Sequence, residues 1–257
     1  MINERRLVDL FLKYVQIDSE SRKEENFREV LEQDLRELGM EVTADEAGNL
    51  FFALDGDEKA EPLLFTAHMD TVVPGQSIRP VMENGVIKSG GDTVLGGDDK
   101  SGIAAIVEAI RVMKEEKIPH RRVEVLFTVE EEIGLNGSRA ADLGQVRSRY
   151  SIAMDGCGPM DEIVVNGAGQ ANVEIEITGV AAHAGNSPEK GVSAVIAAAD
   201  AVSAMKLLKV DEETTANIGT VTANSPANIV CSHIRMLGEV RSRDNEKLER
   251  QLEHMRS

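Results

Sequence analysis

Three short and almost wholly apolar runs constrain this chain most: LFFAL at 50–54, LLFTA at 63–67 and VEVLFTV at 123–129. Runs of this length, bounded by turn-forming residues, have no polar face, which is the pattern of strands buried on both sides of a sheet. Segments with helical spacing lie around them. Residues 3–17 set Leu7, Leu10, Phe11, Tyr14 and Val15 on one stripe, and residues 22–38 do the same with Phe27, Val30, Leu31, Leu35 and Leu38 before a Gly39 stop. SGIAAIVEAIRVMKEE (101–116) predicts a helix opened by a Ser and followed by Pro119, and SIAMD (151–155) predicts one more short strand. Strands alternating with helices give an α/β domain with a mostly parallel central sheet.

The texture changes near residue 167. ANVEIEIT (171–178) alternates apolar and polar residues, the signature of a sheet wet on one face. An Ala-rich helix is expected at 191–205, strands at 214–223 and 228–240, and a last helix at 244–255. The order β-α-β-β-α predicts a smaller α+β domain that lacks the closing strand of a split β-α-β unit. The expected domains are therefore 1–167 and 168–257.

Composition removes several function classes. Against 28 Lys and Arg stand 45 Asp and Glu, a net charge of −17, which repels nucleic acid and anionic membranes. Aromatic residues make up 3% with no Trp, too few for base-stacking platforms. The two cysteines, Cys157 and Cys231, form no zinc-binding CxxC pair and are expected to be reduced, buried and apolar in role. The N-terminal stretch mixes charge with apolar residues, as an amphipathic helix does and a signal peptide does not. A cytoplasmic protein is expected.

Four polar clusters are expected at the C-terminal ends of predicted strands, GGDDKSG among them as a Gly-rich approach to a helix, and open α/β sheets bind ligands at that edge. AHMDTVVPG gives His68 and Asp70, two apart in an extended segment and so on one side. GGDDKSG gives Asp98 and Asp99, where helix capping is the plain alternative. TVEEEIG gives Glu130, Glu131 and Glu132, otherwise a solvated acidic loop, and AMDG gives Asp155, otherwise a turn residue. One imidazole with several carboxylates suits one or two divalent cations, with zinc favoured by the imidazole and cobalt or manganese as alternatives. A phosphate cradle conflicts with the paired carboxylates, which repel an anion.

AHMDTVVPG, LGGDDKSGIAA, FTVEEEIG, MDG and AAHAGNSPEKGVSA, in this order and spacing, resemble the peptidase T branch of the two-zinc aminopeptidase and carboxypeptidase superfamily. The resemblance covers essentially the whole chain. It implies that His68, Asp98 and Asp155 ligate a first zinc, that Asp98 bridges to a second held by Glu132, and that Asp70 orients His68. It implies a cis peptide after Asp98, Glu131 as general base, and His183 from a lid domain that also forms a homodimer. Asn228 and Arg241 fall where family lids carry substrate contacts, although an Arg in a salt bridge reads equally well there. The implied substrate is a short peptide, and the implied reaction is release of its N-terminal residue. A related carboxypeptidase or N-acyl amino-acid deacylase shares the same centre.

One departure matters. The family's second zinc takes a last histidine from a segment after the lid, and neither His233 nor His254 matches it. The chain is therefore expected to be a truncated peptidase that binds one zinc well and a second weakly. An inactive metal-binding or dimerisation module is the alternative outside the enzyme class.

Overall fold

The computed structural model describes residues 2–156, 158–159 and 162–257, so Cys157 lies outside the described residues. The chain divides into two compact units, Met1–Met160 and Asp161–Ser257.

The first unit contains α1 (Glu4–Val15), α2 (Glu25–Glu37), β1 (Thr43–Ala44), β2 (Leu50–Leu54), β3 (Leu63–His68), β4 (Pro80–Glu83), β5 (Val86–Ser89), α3 (Gly97–Glu115), β6 (Val123–Thr128), α4 (Asn136–Ala140) and β7 (Ser151–Ala153). Its main sheet has the order β1-β2-β6-β3-β7. β6, β3 and β7 run parallel, while β2 is antiparallel to β6 and β1 to β2, so the sheet is mixed. The parallel part carries the candidate site.

The continuous apolar runs are explained by burial on both faces. Leu50 and Phe52 of β2 and Val123, Val125 and Phe127 of β6 pack against Leu10, Tyr14, Phe27, Leu31, Ile103 and Val107 of the helices. Phe51, Leu64 and Leu126 form a second cluster. Each such side chain contributes about 1.5–3 kcal/mol on burial. The Tyr14 and Phe27 rings meet edge-to-face at 5.3 Å. α1 opens on Asn3, whose side chain accepts the Arg6 N–H, and Arg6 in turn donates to the buried Glu108 of α3 at 2.8 Å. β4 and β5 form a separate hairpin. Its turn residues Asn84 and Gly85 have φ of 53° and 78°, the pattern of a two-residue type I′ turn.

The second unit contains β8 (Gly169–Thr178), α5 (Ala194–Ala204), β9 (Leu208–Lys209), β10 (Thr214–Thr222), β11 (His233–Ser242) and α6 (Asn245–Arg256). Its sheet, β8-β11-β10-β9, is antiparallel throughout. The alternation read from ANVEIEIT is real. Ile175 and Ile177 pack with Ala194 and Ala198 of α5, while Glu174 and Glu176 stay exposed. α6 covers Ala216 and Val240 through Met255, Leu248 and Leu252. The strand expected at 228–240 starts only at His233, because Asn228–Ile229 lies in a turn whose Ile229 N–H returns to Pro226 O at 3.0 Å. Cys231 is a free thiol, half-buried against the α5 cluster rather than fully enclosed. Among the described residues no helix is long and apolar enough to cross a membrane.

Candidate metal centre

Three parallel strands end at one edge of the first sheet. His68 closes β3 opposite Thr128 of β6, and the Met69 N–H donates to Thr128 O at 2.7 Å. Beside them, β7 pairs Ala153 with Thr66, and the next turn carries Asp155. Glu130, Glu131 and Glu132 follow β6 directly. Asp98 arrives from the start of α3, where Gly96, at φ 69°, turns the chain in. Asp98 and Asp99 depart from helical geometry, and the peptide between them is cis, as the resemblance implies.

The imidazole is the centre of the arrangement. His68 Nδ1 lies 2.9 Å from Asp70 O and 3.3 Å from Asp70 Oδ1. Both are acceptors, so Nδ1 carries a hydrogen and Nε2 is the atom turned to the site. Nε2 is 3.0 Å from Asp98 Oδ1 and 4.0 Å from Asp155 Oδ1. Two overlapping groups, His68 with Asp98 and Glu132, and His68 with Glu131 and Asp155, bring their ligand atoms within 4.8 Å of one another.

Burial would lower the His68 pKa, but the hydrogen bonds to Asp70 and Asp98 and the charge of Asp155 push it up to about 10. Burial raises the Asp155 carboxyl to about 6 and also raises Glu132. Acceptors crowded around one nitrogen in this way need protons or a cation between them. This donor set fits a divalent cation, with His68 Nε2, Asp98, Asp155 and Glu132 as the groups that would hold it. Asp70 stands behind. Its side chain is fully buried, and it accepts from Ser21 Oγ at 2.7 Å and from the Glu131 and Glu132 N–H groups at 2.9 and 3.2 Å.

Comparisons with known proteins agree with this arrangement. The profile described as "Peptidase family M28" matches residues 49–202, and that of the "Peptidase dimerisation domain" matches residues 167–257. An uncharacterized Bacillus subtilis protein, YqjE, is 45% identical over the whole chain, which covers 71% of that relative. The chain belongs to the M20/M28 peptidases, in their peptidase T-like branch. The crystal structure of aminopeptidase PepT from Bacillus cereus is 45% identical with a TM-score of 0.92, matching 99% of this chain and 71% of its own. A tripeptidase from Staphylococcus aureus is 39% identical with a TM-score of 0.96, matching 99% of this chain and 70% of its own. The chain spans 58% of the Listeria monocytogenes peptidase T that it matches at 30% identity.

Within this peptidase T-like chain, six of the nine residues to which the resemblance gives a role come together: His68, Asp70, Asp98, Glu131, Glu132 and Asp155. The other three belong to the second unit. His183 Nδ1 accepts the N–H groups of Gly185 and Asn186 at 3.1 and 3.2 Å, which leaves the ring hydrogen of the neutral form on Nε2. Asn228 O accepts the Ala184 N–H at 2.9 Å. Arg241 is paired with Glu239, at 2.8 and 3.0 Å, in the salt bridge that was the alternative reading of this position. His254 Nε2 accepts the Lys206 N–H at 2.9 Å, so that atom is already occupied.

Sequence reasoning missed Ser21, Glu24 and Asn49. Their partners lie 49, 106 and 80 positions away, and no local pattern marks a polar residue whose role depends on such distant contacts.

Proposed function

We propose that this chain carries the metal centre of an aminopeptidase that hydrolyses short peptides and releases the N-terminal residue. The convergence of His68 Nε2 with four carboxylates at one sheet edge carries the reading. The likeness to an aminopeptidase and a tripeptidase directs it toward short peptides with free N-termini. His68, Asp98 and Asp155 would hold one zinc ion, and Asp98 with Glu132 a second. Such ions, when bound, supply Lewis-acid polarisation of the scissile carbonyl and make water more acidic.

The chain's own groups have distinct tasks. Asp70 fixes the His68 tautomer and raises its basicity. Glu131 takes a proton from the attacking water as the new C–O bond forms, then returns it to the amine nitrogen as the C–N bond breaks. The resemblance adds His183 of a second copy as a donor to the developing oxyanion, with hydrogen available at Nε2. It also adds Asn228 and Arg241 as substrate contacts, where a peptide carboxylate would compete with Glu239 for the guanidinium. The dimerisation-domain match supports a homodimer through the second unit.

Zinc-dependent hydrolysis of tripeptides with free or acetylated N-termini tests the reading, with Glu131→Gln as the control. The free tripeptides should be cleaved at the first peptide bond, and Glu131→Gln should lose about 10²–10⁴-fold in turnover while keeping its metal. Cleavage of acetylated substrates alone would replace the proposal with a deacylase. A Glu131→Gln variant with undiminished turnover would overturn the mechanism, and a folded, zinc-loaded but silent chain would favour the binding-module reading.

A further inference from the structure

Four consecutive backbone N–H groups run along the segment that bears Glu131 and Glu132. Each ends on a side chain from elsewhere in the fold. Val129 N donates to Asn49 Oδ1 at 3.1 Å, Glu130 N to Glu24 Oε1 at 3.0 Å, Glu131 N to Asp70 Oδ1 at 2.9 Å and Glu132 N to Asp70 Oδ2 at 3.2 Å. Among the described residues the Glu131 carboxylate has no hydrogen bond of its own, so its backbone sets its place. Glu130 has a φ of 51°, a conformation that residues with a side chain avoid unless held there.

Three of these four attachments trace to one loop, residues 17–24 between α1 and α2, the Glu130 one directly through Glu24 and the two on Asp70 through Ser21. Glu24 is buried and occupies the N-cap position of α2, yet its side chain caps nothing in its own helix. It reaches the Glu130 N–H instead. Ser21 Oγ donates to Asp70 Oδ2 at 2.7 Å. Arg22 Nε stands 3.6 Å from Glu130 Oε2.

The same loop grips the other two motif segments. The Thr71 N–H donates to Ser19 O and the Ser21 N–H to Thr71 O, while the Glu20 carboxylate accepts from Gly75 N and Gln76 Nε2. Lys100, two residues beyond Asp98, donates from Nζ to Ile17 O at 2.6 Å. One loop thus touches the segments that carry His68 and Asp70, Asp98, and Glu131 and Glu132.

We propose that loop 17–24 is the positioning frame of the metal centre, with two positioning residues. Glu24 sets the Glu131 and Glu132 segment through the Glu130 N–H, and Ser21 sets Asp70 through its hydroxyl. The kinetic part rests on the aminopeptidase reading; the metal-binding part rests on the hydrogen bonds alone. The physical reason is the demand for placement. Segments beyond a strand end lack ladder bonds, whereas a reacting group displaced by about 1 Å can lose about 10²-fold in rate.

The test compares Glu24→Ala with Glu24→Gln, and Ser21→Ala with Ser21→Thr. Cobalt(II) is titrated into the metal-free chain and its visible absorption followed, and kcat and KM are measured on a cleaved tripeptide. Glu24→Ala should lower kcat about 10²-fold with KM little changed and should alter the cobalt spectrum. Glu24→Gln keeps an accepting oxygen and should restore both. Ser21→Ala should weaken cobalt binding about tenfold, and Ser21→Thr should recover it. A folded Glu24→Ala with wild-type kcat and spectrum overturns the role of Glu24, as does a Gln variant that rescues nothing. Should Glu24→Ala not fold, the Gln variant and the Ser21 pair decide. If the wild-type chain cleaves no peptide, the aminopeptidase reading fails by itself. The frame then stands or falls on the cobalt data, and unchanged affinity and spectra in both alanine variants overturn it.

Discussion

Glu124 is the second residue of β6, with no exposed surface and apolar neighbours on either side, and its replacement by Ala should destabilise the first unit by about 3–5 kcal/mol. The magnitude follows from what would be stranded. The carboxylate accepts from Arg122 Nε at 2.8 Å, Arg147 N at 3.0 Å, Ser148 N at 2.9 Å and Ser148 Oγ at 2.7 Å. Removal leaves a mostly buried guanidinium and several donors without this acceptor, each costly to desolvate alone. Arg147 and Ser148 lead into β7, so the same residue ties the strand before Glu131 to the strand before Asp155.

The pH dependence has a definite sign. Burial would raise the Glu124 carboxyl, but Arg122, Ser148 and Arg147 hold it below the usual carboxylate range. Its folded pKa is thus below its unfolded value. Its contribution is full above the unfolded value and is lost as pH falls through the folded one. Urea unfolding followed by circular dichroism, from neutral to acid pH, checks this. The wild type should lead Glu124→Ala by several kcal/mol at neutral pH and lose that lead in acid. A variant within about 1 kcal/mol of wild type at neutral pH, or a lead independent of pH, would refute the reasoning.

Two further perturbations probe the frame around the site. Phe27 is fully buried against Tyr14, with Lys100 Nζ 4.6 Å from its ring centre, so Phe27→Ala should cost about 3–5 kcal/mol in chemical unfolding. In Gly137→Ala the new Cβ would meet Val129 O at 2.2 Å and Asn49 Oδ1 at 2.7 Å; about 1–3 kcal/mol should be lost, seen as a fall of several degrees in Tm.

Much of this fold is written in local pattern. LFFAL and VEVLFTV read as strands buried on both faces because Leu50 and Phe52 turn to one cluster and Phe51 to another. Their neighbours determine the rest. That β2 runs antiparallel to β6 depends on how distant segments meet, which periodicity does not encode. The β4–β5 hairpin carried a usable signal in Asn84-Gly85 that the apolar runs overshadowed. The lone Glu in VEVLFTV also marked something, since a carboxylate in a buried strand demands partners, but residues 147 and 148 could not be named from sequence.

The candidate site divides in the same way. His68, Asp70, Asp155 and the clusters Asp98–Asp99 and Glu130–Glu132 were legible because metal chemistry needs those residue types near one sheet edge, whereas the choice of Asp98, Glu131 and Glu132 within their clusters came from the family resemblance. Ser21 and Glu24 look like ordinary polar residues before a helix. Only the folded chain brings them to Asp70 and Glu130. The salt bridge of Arg241 with Glu239 is a two-residue spacing on one strand face, and it was readable as an equal alternative to substrate contact.

The central claim is that His68 Nε2 and the surrounding carboxylates form a site for a divalent cation. Zinc titration of the metal-free chain by calorimetry tests it most directly, run beside His68→Ala and Asp155→Asn, with circular dichroism confirming that each is folded. The account predicts specific binding in the wild type, binding abolished in His68→Ala and sharply weakened in Asp155→Asn. A folded wild-type chain that binds no zinc, or zinc affinity unchanged in both variants, would contradict it.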